Sequence, residues 1–166
     1  MAERTRRLLA GTFQGYPLLE EIEEFTPPNV EKTMEASRGG RFVSRELMVG
    51  LENMTASIVL TGADSAMFAD LNPPTGEDVE LYVRESWETE EGEAISVKHE
   101  ITGTVKKVES RAVKMGEFPQ RTVELAVIAS KRTEGGTLIH NINVRTQVVD
   151  LGSGDLMEAH RRAAEV

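Results

Sequence analysis

The side chains that could perform acid-base or metal chemistry are carboxylates and three histidines, and their spacing fits no catalytic pattern. Glutamates occur as adjacent pairs at 20–21, 23–24 and 90–91. These pairs lack a histidine or a nucleophile in catalytic spacing, which favours a solvated charged face over a catalytic dyad. His99, His140 and His160 form neither a His-x-His nor a His-Glu-x-x-His pattern, so no metal site is predicted.

Cysteine and glycine usage also argues against an enzyme. The chain has no cysteine, which excludes disulfides, thiolate zinc sites, iron-sulfur clusters and cysteine nucleophiles. Gly152 and Gly154 precede a predicted helix but lack the further glycine of a phosphate-binding loop, so they are interpreted as a linker. The sequence therefore predicts no catalytic residue, no metal and no cofactor.

Length and charge indicate the number of domains and the kinds of partner to expect. A chain of 166 residues suits a single domain over 1–166. It has no apolar run of about 18 residues, so no membrane anchor is predicted. The formal net charge of −9 repels phosphate, which argues against a surface that grips nucleic acid.

Strands must position most of these side chains, because apolar and polar residues alternate with a period of two through much of the chain. The clearest run places Val79, Leu81 and Val83 on one side and the intervening polar residues on the other. Residues 97–105 repeat the pattern. Both segments are predicted to be strands with one solvent-facing side.

Other segments carry the same alternation. Residues 122–130, a turn around Gly135 and Gly136, and a return run over 138–149 predict a hairpin. Further strands are predicted at 9–14, 19–25, 43–49 and 54–61, the last two as a pair joined through 50–53.

Two helices and two loops complete the predicted structure. A short helix over 66–71 ends before the proline pair at 73–74, and a second helix over 155–164 begins with Asp155 as its cap. Residues 26–42 contain two prolines and no sustained period, which predicts a long extended loop. The acidic residues 85–93 are predicted to form a second loop.

Three blocks of residues form a wider pattern over most of the chain. They are Lys32-x-x-Glu35-x-x-Arg38-Gly39-Gly40 with Val49-Gly50-Leu51-Glu52; Gly103-x-x-Lys106-x-Val108-Glu109 with Lys114-x-Gly116-Glu117, Lys131, Gly136 and Ile142; and Asp155-Leu156 with His160-Arg161. The pattern resembles the major tail tube proteins of contractile-tailed bacteriophages and of R-type bacteriocins. The chain departs from that family at Ala36-Ser37 and Arg41-Phe42, and residues 144–154 form a longer segment.

The resemblance implies an all-β sandwich or barrel subunit with one short helix and a C-terminal helix. Such subunits form six-membered rings, which stack helically into a continuous β-barrel tube inside a contractile sheath and give the genome a path into the host. The implied partners are further copies of the chain, the tail sheath protein, the baseplate or tube initiator, the tail terminator, and the tape measure protein and DNA in the lumen. The implied location is the virion tail, assembled in the host bacterial cytoplasm.

Two sets of residues are predicted to carry this function. Interface candidates are Arg38, Gly39, Gly40, Arg41 and Phe42, in a loop that would reach the neighbouring ring, together with His160 and Arg161 in the final helix. Bore candidates are Glu80, Glu100 and Glu124 on the solvent-facing sides of strands. Carboxylates within a Debye length of about 8 Å would repel the phosphates of passing DNA.

Other functions stay open at this stage. An Hcp-like tube of a secretion system has the same fold and ring, and a headless contractile bacteriocin uses a similar tube. A β-barrel enzyme or ligand carrier would need a concave polar site, and the sequence does not locate one.

Overall fold

The structure is a computed structural model that describes residues 3–19, 21–62 and 76–166. Within these ranges it contains eleven strands and one helix, which confirms the predicted all-β fold with a C-terminal helix. The elements are β1 Arg4–Phe13, β2 Tyr16–Pro17, β3 Ile22–Thr26, β4 Lys32–Ser37, β5 Arg45–Leu51, β6 Thr55–Thr61, β7 Val79–Thr89, β8 Ala94–Ser110, β9 Gln120–Glu134, β10 Thr137–Asn143, β11 Val148–Asp150 and helix α1 Glu158–Ala164. The short helix predicted at 66–71 lies outside the described residues.

Nine of the strands form one antiparallel sheet around the long strand β9. From one edge the order is β2, β1, β7, β8 and β9. On its other side β9 pairs with two strands, because its first half lies beside β6 and its second half beside β10. Strands β3 and β11 extend these two branches. Strands β4 and β5 form a separate two-stranded sheet.

The core lies on one side of the nine-stranded sheet, as the alternation predicts. Val79, Leu81 and Val83 are completely buried, whereas Glu80 and Tyr82 between them are exposed. Each large apolar side chain buried in this way contributes about 1.5–3 kcal/mol to the free energy of folding. The buried apolar residues come from β1, β3, β6, β7, β8, β9 and β10, so this core holds both branches of the sheet together.

The pairing of strand β8 with β9 has two irregularities. Its register against β9 shifts between Thr102 and Gly103 and again between Val105 and Lys107. Bulges of this kind bend a strand and increase its twist. A Cβ atom on Gly103 would lie 2.3 Å from the backbone oxygen of Ala126, so only glycine fits at the first bend.

Replacing Gly103 with alanine is therefore expected to destabilise the subunit by about 2–3 kcal/mol, because the backbone of β9 must move. Denaturant unfolding of the purified protein measures the change. Gly50→Ala is the matched control, since a Cβ there has no atom within 4 Å. Equal stability of the two variants would contradict the proposed close approach.

Several local predictions differ from the structure. The predicted pairing of 43–49 with 54–61 is wrong, because β5 pairs with β4 while β6 pairs with β3 and β9. The acidic loop is shorter than predicted, because β7 continues to Thr89. Residues 26–42 contain strand β4, and helix α1 begins at Glu158, with Met157 at its N-cap position.

Candidate assembly surfaces

The hairpin of β4 and β5, residues 32–51, is named the arm because it lies outside the main sheet. Its two strands pair only with each other among the described strands. At its base Glu52 N donates to Glu31 O at 2.8 Å and the Thr33 hydroxyl donates to a Glu52 carboxylate oxygen at 2.8 Å. A two-stranded hairpin is marginally stable alone, so the arm is expected to need a further surface to pack against.

The arm exposes apolar side chains that no described part of the subunit covers. Phe42 is 94% exposed and Val43 is 73% exposed. Met34, Leu47, Met48 and Val49 on the two strands are also exposed. Clustered exposed apolar surface is typical of interaction sites, so the arm is the strongest candidate for contact with another chain.

The tip of the arm, residues 37–45, contains the five interface candidates predicted in this region. Arg41 N donates to Arg38 O at 3.0 Å, and Arg38 Nη2 donates to Phe42 O at 3.2 Å. Gly39 and Gly40 have φ angles of +47° and +74°, which favour glycine. This tight turn leaves the side chains of Arg41 and Phe42 in solvent.

The second predicted interface lies around helix α1, and its two candidates, His160 and Arg161, have different surroundings. His160 is exposed. Arg161 instead lies in an internal contact, with Nη2 2.6 Å from Asp155 Oδ2 and Nη1 donating to Gln147 O at 2.9 Å. Arg161 therefore attaches the helix to its own subunit, and the neighbouring Arg162 is the more exposed arginine.

Asp155 is the anchor of this attachment. Its pKa is lowered from 3.8 to about 2, first by the hydrogen bond from Arg161, against some opposing desolvation, and further by the backbone N–H groups of Met157 and Val149. The ionised carboxylate thus stabilises the folded position of the helix at pH values above about 3.8. That contribution is lost as the pH falls toward about 2.

Replacing Asp155 with asparagine is expected to release helix α1 at neutral pH, because Arg161 loses its charged partner. Amide hydrogen exchange should then speed up in residues 158–164 and stay unchanged in β7 and β8. Glu158→Gln is the matched control, since it removes only the exposed contact with Arg162. Unchanged protection of the helix in the Asp155→Asn protein would contradict this role.

The three bore candidates lie on the same side of the main sheet, opposite the core. Glu80 and Glu100 are exposed and Glu124 is half-buried. Tyr82 lies directly across from Glu100. The pKa of Tyr82 is raised, chiefly by the charge of Glu80, which indicates a negative potential on this part of the sheet.

Basic side chains also lie on this side of the sheet. Lys131 pairs in register with Glu100, and Lys107 pairs in register with Glu124. Lys107 also contacts Glu109 at 2.9 Å. This side of the sheet therefore carries charges of both signs.

A buried polar cluster inside the sheet escaped the sequence analysis. Glu85 is 5% exposed and His99 is 2% exposed. Glu85 Oε1 lies 2.7 Å from Arg6 Nη2, and Oε2 accepts from Trp87 Nε1 at 3.2 Å and lies 3.2 Å from His99 Nε2. Arg6 also lies 5.2 Å from the Trp87 ring centroid. This cluster cross-links β1, β7 and β8.

A second buried pair joins Ser130 and His140, with Oγ and Nε2 2.9 Å apart. Burial lowers the pKa of His140, and the charges of Arg132 and His99 lower it further, so the ring is held neutral. Both side chains are buried. Within the described ranges, no group of three or more His, Asp or Glu side chains could hold a metal ion.

Two loops at the ends of β8 add further surface. The acidic turn, residues 88–93, connects β7 to β8 and carries four glutamates. The β8–β9 loop, residues 111–119, exposes Met115 and Phe118 almost completely. Apolar residues between two predicted strands are the sequence signal that could have identified this second loop.

In the described part of the chain no helix is long and apolar enough to cross a membrane.

Comparison with known proteins identifies a family and a structural neighbour. The family model described as phage tail tube protein FII matches residues 10–164. A chain in the cryo-EM structure of an extracellular contractile injection system, the PVC sheath-tube complex in its extended state, superposes with a TM-score of 0.57 at 7% identity. The superposition covers 76% of this chain and 88% of that one. The search of curated proteins finds no match.

Proposed function

Since the chain belongs to the phage tail tube protein FII family, a structural tail tube role follows, and we propose that it forms six-membered rings that stack helically. The stacked rings would be the inner tube of a contractile tail and the conduit for genome ejection. The observation that carries this proposal is the arm, whose apolar residues stay exposed in the part of the subunit that the structure describes. On this proposal the protein acts as a polymer and not as a catalyst.

Ring formation is supported by the edges of the main sheet. Along Arg4–Ala10, strand β1 pairs with β7 on one side, while β2 covers only Thr12 and Phe13 on the other. Unpaired strand edges readily pair with other chains. A head-to-tail contact that closes gives a ring, and a second contact that does not close gives an open stack. On this proposal the free edge of β1 makes the contact within a ring, and the arm makes the contact between stacked rings.

The proposed partners follow from this arrangement. The superposed chain belongs to a complex described as sheath and tube, which supports contact with a tail sheath protein. A baseplate or tube initiator, a tail terminator and a tape measure protein would complete the tail. The proposed location is the virion tail, with assembly in the host bacterial cytoplasm.

A tube without a DNA-filled head is the second candidate. The superposed structure is described as an extracellular contractile injection system, so a headless contractile particle of the bacteriocin type has structural support. A secretion-system tube of the Hcp type would use the same subunit geometry. The two differ from a phage tail in what passes through the lumen.

We expect Glu80, Glu100 and Glu124 to face the bore of the assembled tube, where they would repel the phosphates of DNA. Replacing all three with lysine should slow genome ejection from assembled particles at least about tenfold, because each lysine adds an attraction to phosphate. Glu→Gln substitution at the same positions is the control and should give an intermediate rate. Ejection at the normal rate from the lysine variant would contradict the bore assignment.

Electron microscopy tests the function as a whole. Purified protein at high concentration, examined in negative stain, is expected to show hollow tubes of uniform diameter, with six-fold end views. Size-exclusion chromatography with light scattering gives the mass of any species that does not polymerise. Persistent monomers with no rings or tubes under any condition of concentration and salt would overturn the proposal.

A further inference from the structure

The tip of the arm carries only positive charge. Residues 37–45 include Arg38, Arg41 and Arg45 and no acidic residue. All three arginines are exposed, and none forms an ion pair with any residue that the structure describes. In a chain of net charge −9, a projecting basic tip is available for an acidic partner.

The acidic turn carries the opposite charge. Residues 88–93 include four glutamates and no basic residue. Glu88 pairs with Arg7, whereas Glu90, Glu91 and Glu93 are exposed and have no ion pair within the described part of the chain. The turn is fixed by backbone hydrogen bonds of 3.0 Å from Gly92 N to Thr89 O and from Thr89 N to Glu93 O. Three unpaired carboxylates are thus held on a defined turn.

Two other glutamates, at the opposite end of β8, already have partners within the subunit. Glu23 accepts a hydrogen bond from Gln120, and Glu109 contacts Lys107. The loop at that end of the sheet also carries Arg111 and Lys114. The acidic turn instead offers three exposed carboxylates within four residues and no basic residue, which matches the three arginines of the tip in number and in charge.

We infer that the arm tip of one copy docks on the acidic turn of a second copy, in the adjacent ring of the stack. Among the described strands β4 and β5 pair only with each other, so the tip is available to a different copy. Because the two surfaces differ, the contact is heterologous and can propagate without closing, as a growing tube requires. This inference rests on the proposed tube function and adds to it the residues that meet between rings.

Cysteine cross-linking tests the contact directly, because the parent chain contains no cysteine. An Arg41→Cys/Glu91→Cys protein, assembled and then oxidised, is expected to give a ladder of covalent multimers on a non-reducing denaturing gel. The Arg41→Cys/Glu117→Cys protein is the matched control, with its second cysteine on the β8–β9 loop, and should give no ladder. Intact tubes with no ladder from the first protein, or equal ladders from both, would overturn the inference and leave the tube function standing.

Charge reversal gives an independent test. Changing Arg38, Arg41 and Arg45 to glutamate, or Glu90, Glu91 and Glu93 to lysine, should each raise the critical concentration for tube growth about tenfold or more. Combining all six changes restores both the complementarity and the net charge of −9, so tube growth should return. If the variant with all six substitutions assembles no better than either variant with three, the docking is overturned. Absence of tubes from the parent protein would instead reject the proposed function on which the docking depends.

Discussion

Deleting residues 38–42 is expected to abolish tube formation and leave a folded subunit. The deletion removes two arginines and Phe42 from the tip of the arm, and all of the deleted residues are exposed. None of them belongs to the core cluster, so the melting temperature of the isolated subunit should shift by less than about 2 °C. Negative-stain microscopy measures assembly, and circular dichroism with thermal melting measures the fold.

A second variant separates the length of the arm from its chemistry. Replacing residues 38–42 by five glycine and serine residues preserves the length but removes the charges and the aromatic ring. It should also fail to form tubes, because a polar tip offers neither apolar cover nor charge complementarity. Normal tubes from both variants would contradict an assembly role for the tip. Tubes from the Gly/Ser variant alone would show that only length matters.

The regular part of the fold was predictable from the sequence because strand alternation and turn chemistry agree there. The β7–β8 pair and the β9–β10 hairpin follow from period-two patterns joined by short polar or glycine-containing turns. Gly135 and Gly136 adopt φ angles of +56° and +83°, as a tight hairpin turn requires. Local pattern and tertiary structure support each other at these positions.

Partner choice between strands was less predictable. Residues 43–49 and 54–61 are close in sequence, which suggested a hairpin, yet β6 has its partner more than 60 residues away in β9, with Ile58 opposite Val123. Alternation reports which side of a strand is buried and does not report which strand lies beside it. The first strand of the arm was predicted as part of the 26–42 loop because prolines occupy positions 27 and 28 just before it, although Met34 and Ala36 already alternate with charged or polar neighbours.

The candidate surfaces were partly visible in the sequence. The exposed tip around Arg38 to Phe42 could be located from its glycine pair and its charges. The internal role of Arg161 could not, because it depends on the folded position of Asp155 and of the Gln147 carbonyl. Glu85 was assigned to a loop because its charge was given more weight than its phase. Val79, Leu81 and Val83 continue to Glu85 on the buried side of β7.

Replacing Glu85 with alanine is expected to cost the folded subunit about 3–5 kcal/mol, which is typical when one partner of a buried ion pair is removed. The variant leaves Arg6 without its carboxylate and leaves the ring nitrogen of His99 and the indole N–H of Trp87 without their acceptor. Denaturant unfolding followed by tryptophan fluorescence reports directly on this cluster, because Trp87 is the single tryptophan.

The control for this substitution is Glu88→Ala, which removes the ion pair between Glu88 and Arg7. Both side chains of that pair are far more exposed than Glu85. Exposed pairs contribute about 0–1 kcal/mol, so this variant should keep nearly all of its stability. A loss of less than about 1 kcal/mol from Glu85→Ala would contradict the structural importance of the cluster.

The pH dependence of unfolding tests the same cluster through its charges. Burial alone would raise the pKa of Glu85, but hydrogen bonds from His99 and Trp87 and the charge of Arg6 lower it below 4.5 overall. The contribution of Glu85 to the free energy of unfolding is therefore present above about pH 4.5 and is lost below it. The neutral His140 ring makes a separate contribution, which declines as the pH falls below 6.5.

The parent protein should lose stability over both pH ranges. Glu85→Ala should keep the upper range and show a smaller loss in the lower one, where the contribution of Asp155 between about pH 3.8 and 2 remains. Because Arg6, Glu85 and His99 join β1, β7 and β8, a loss in the lower range that is as large in that variant as in the parent would contradict the contribution of Glu85 to this part of the sheet.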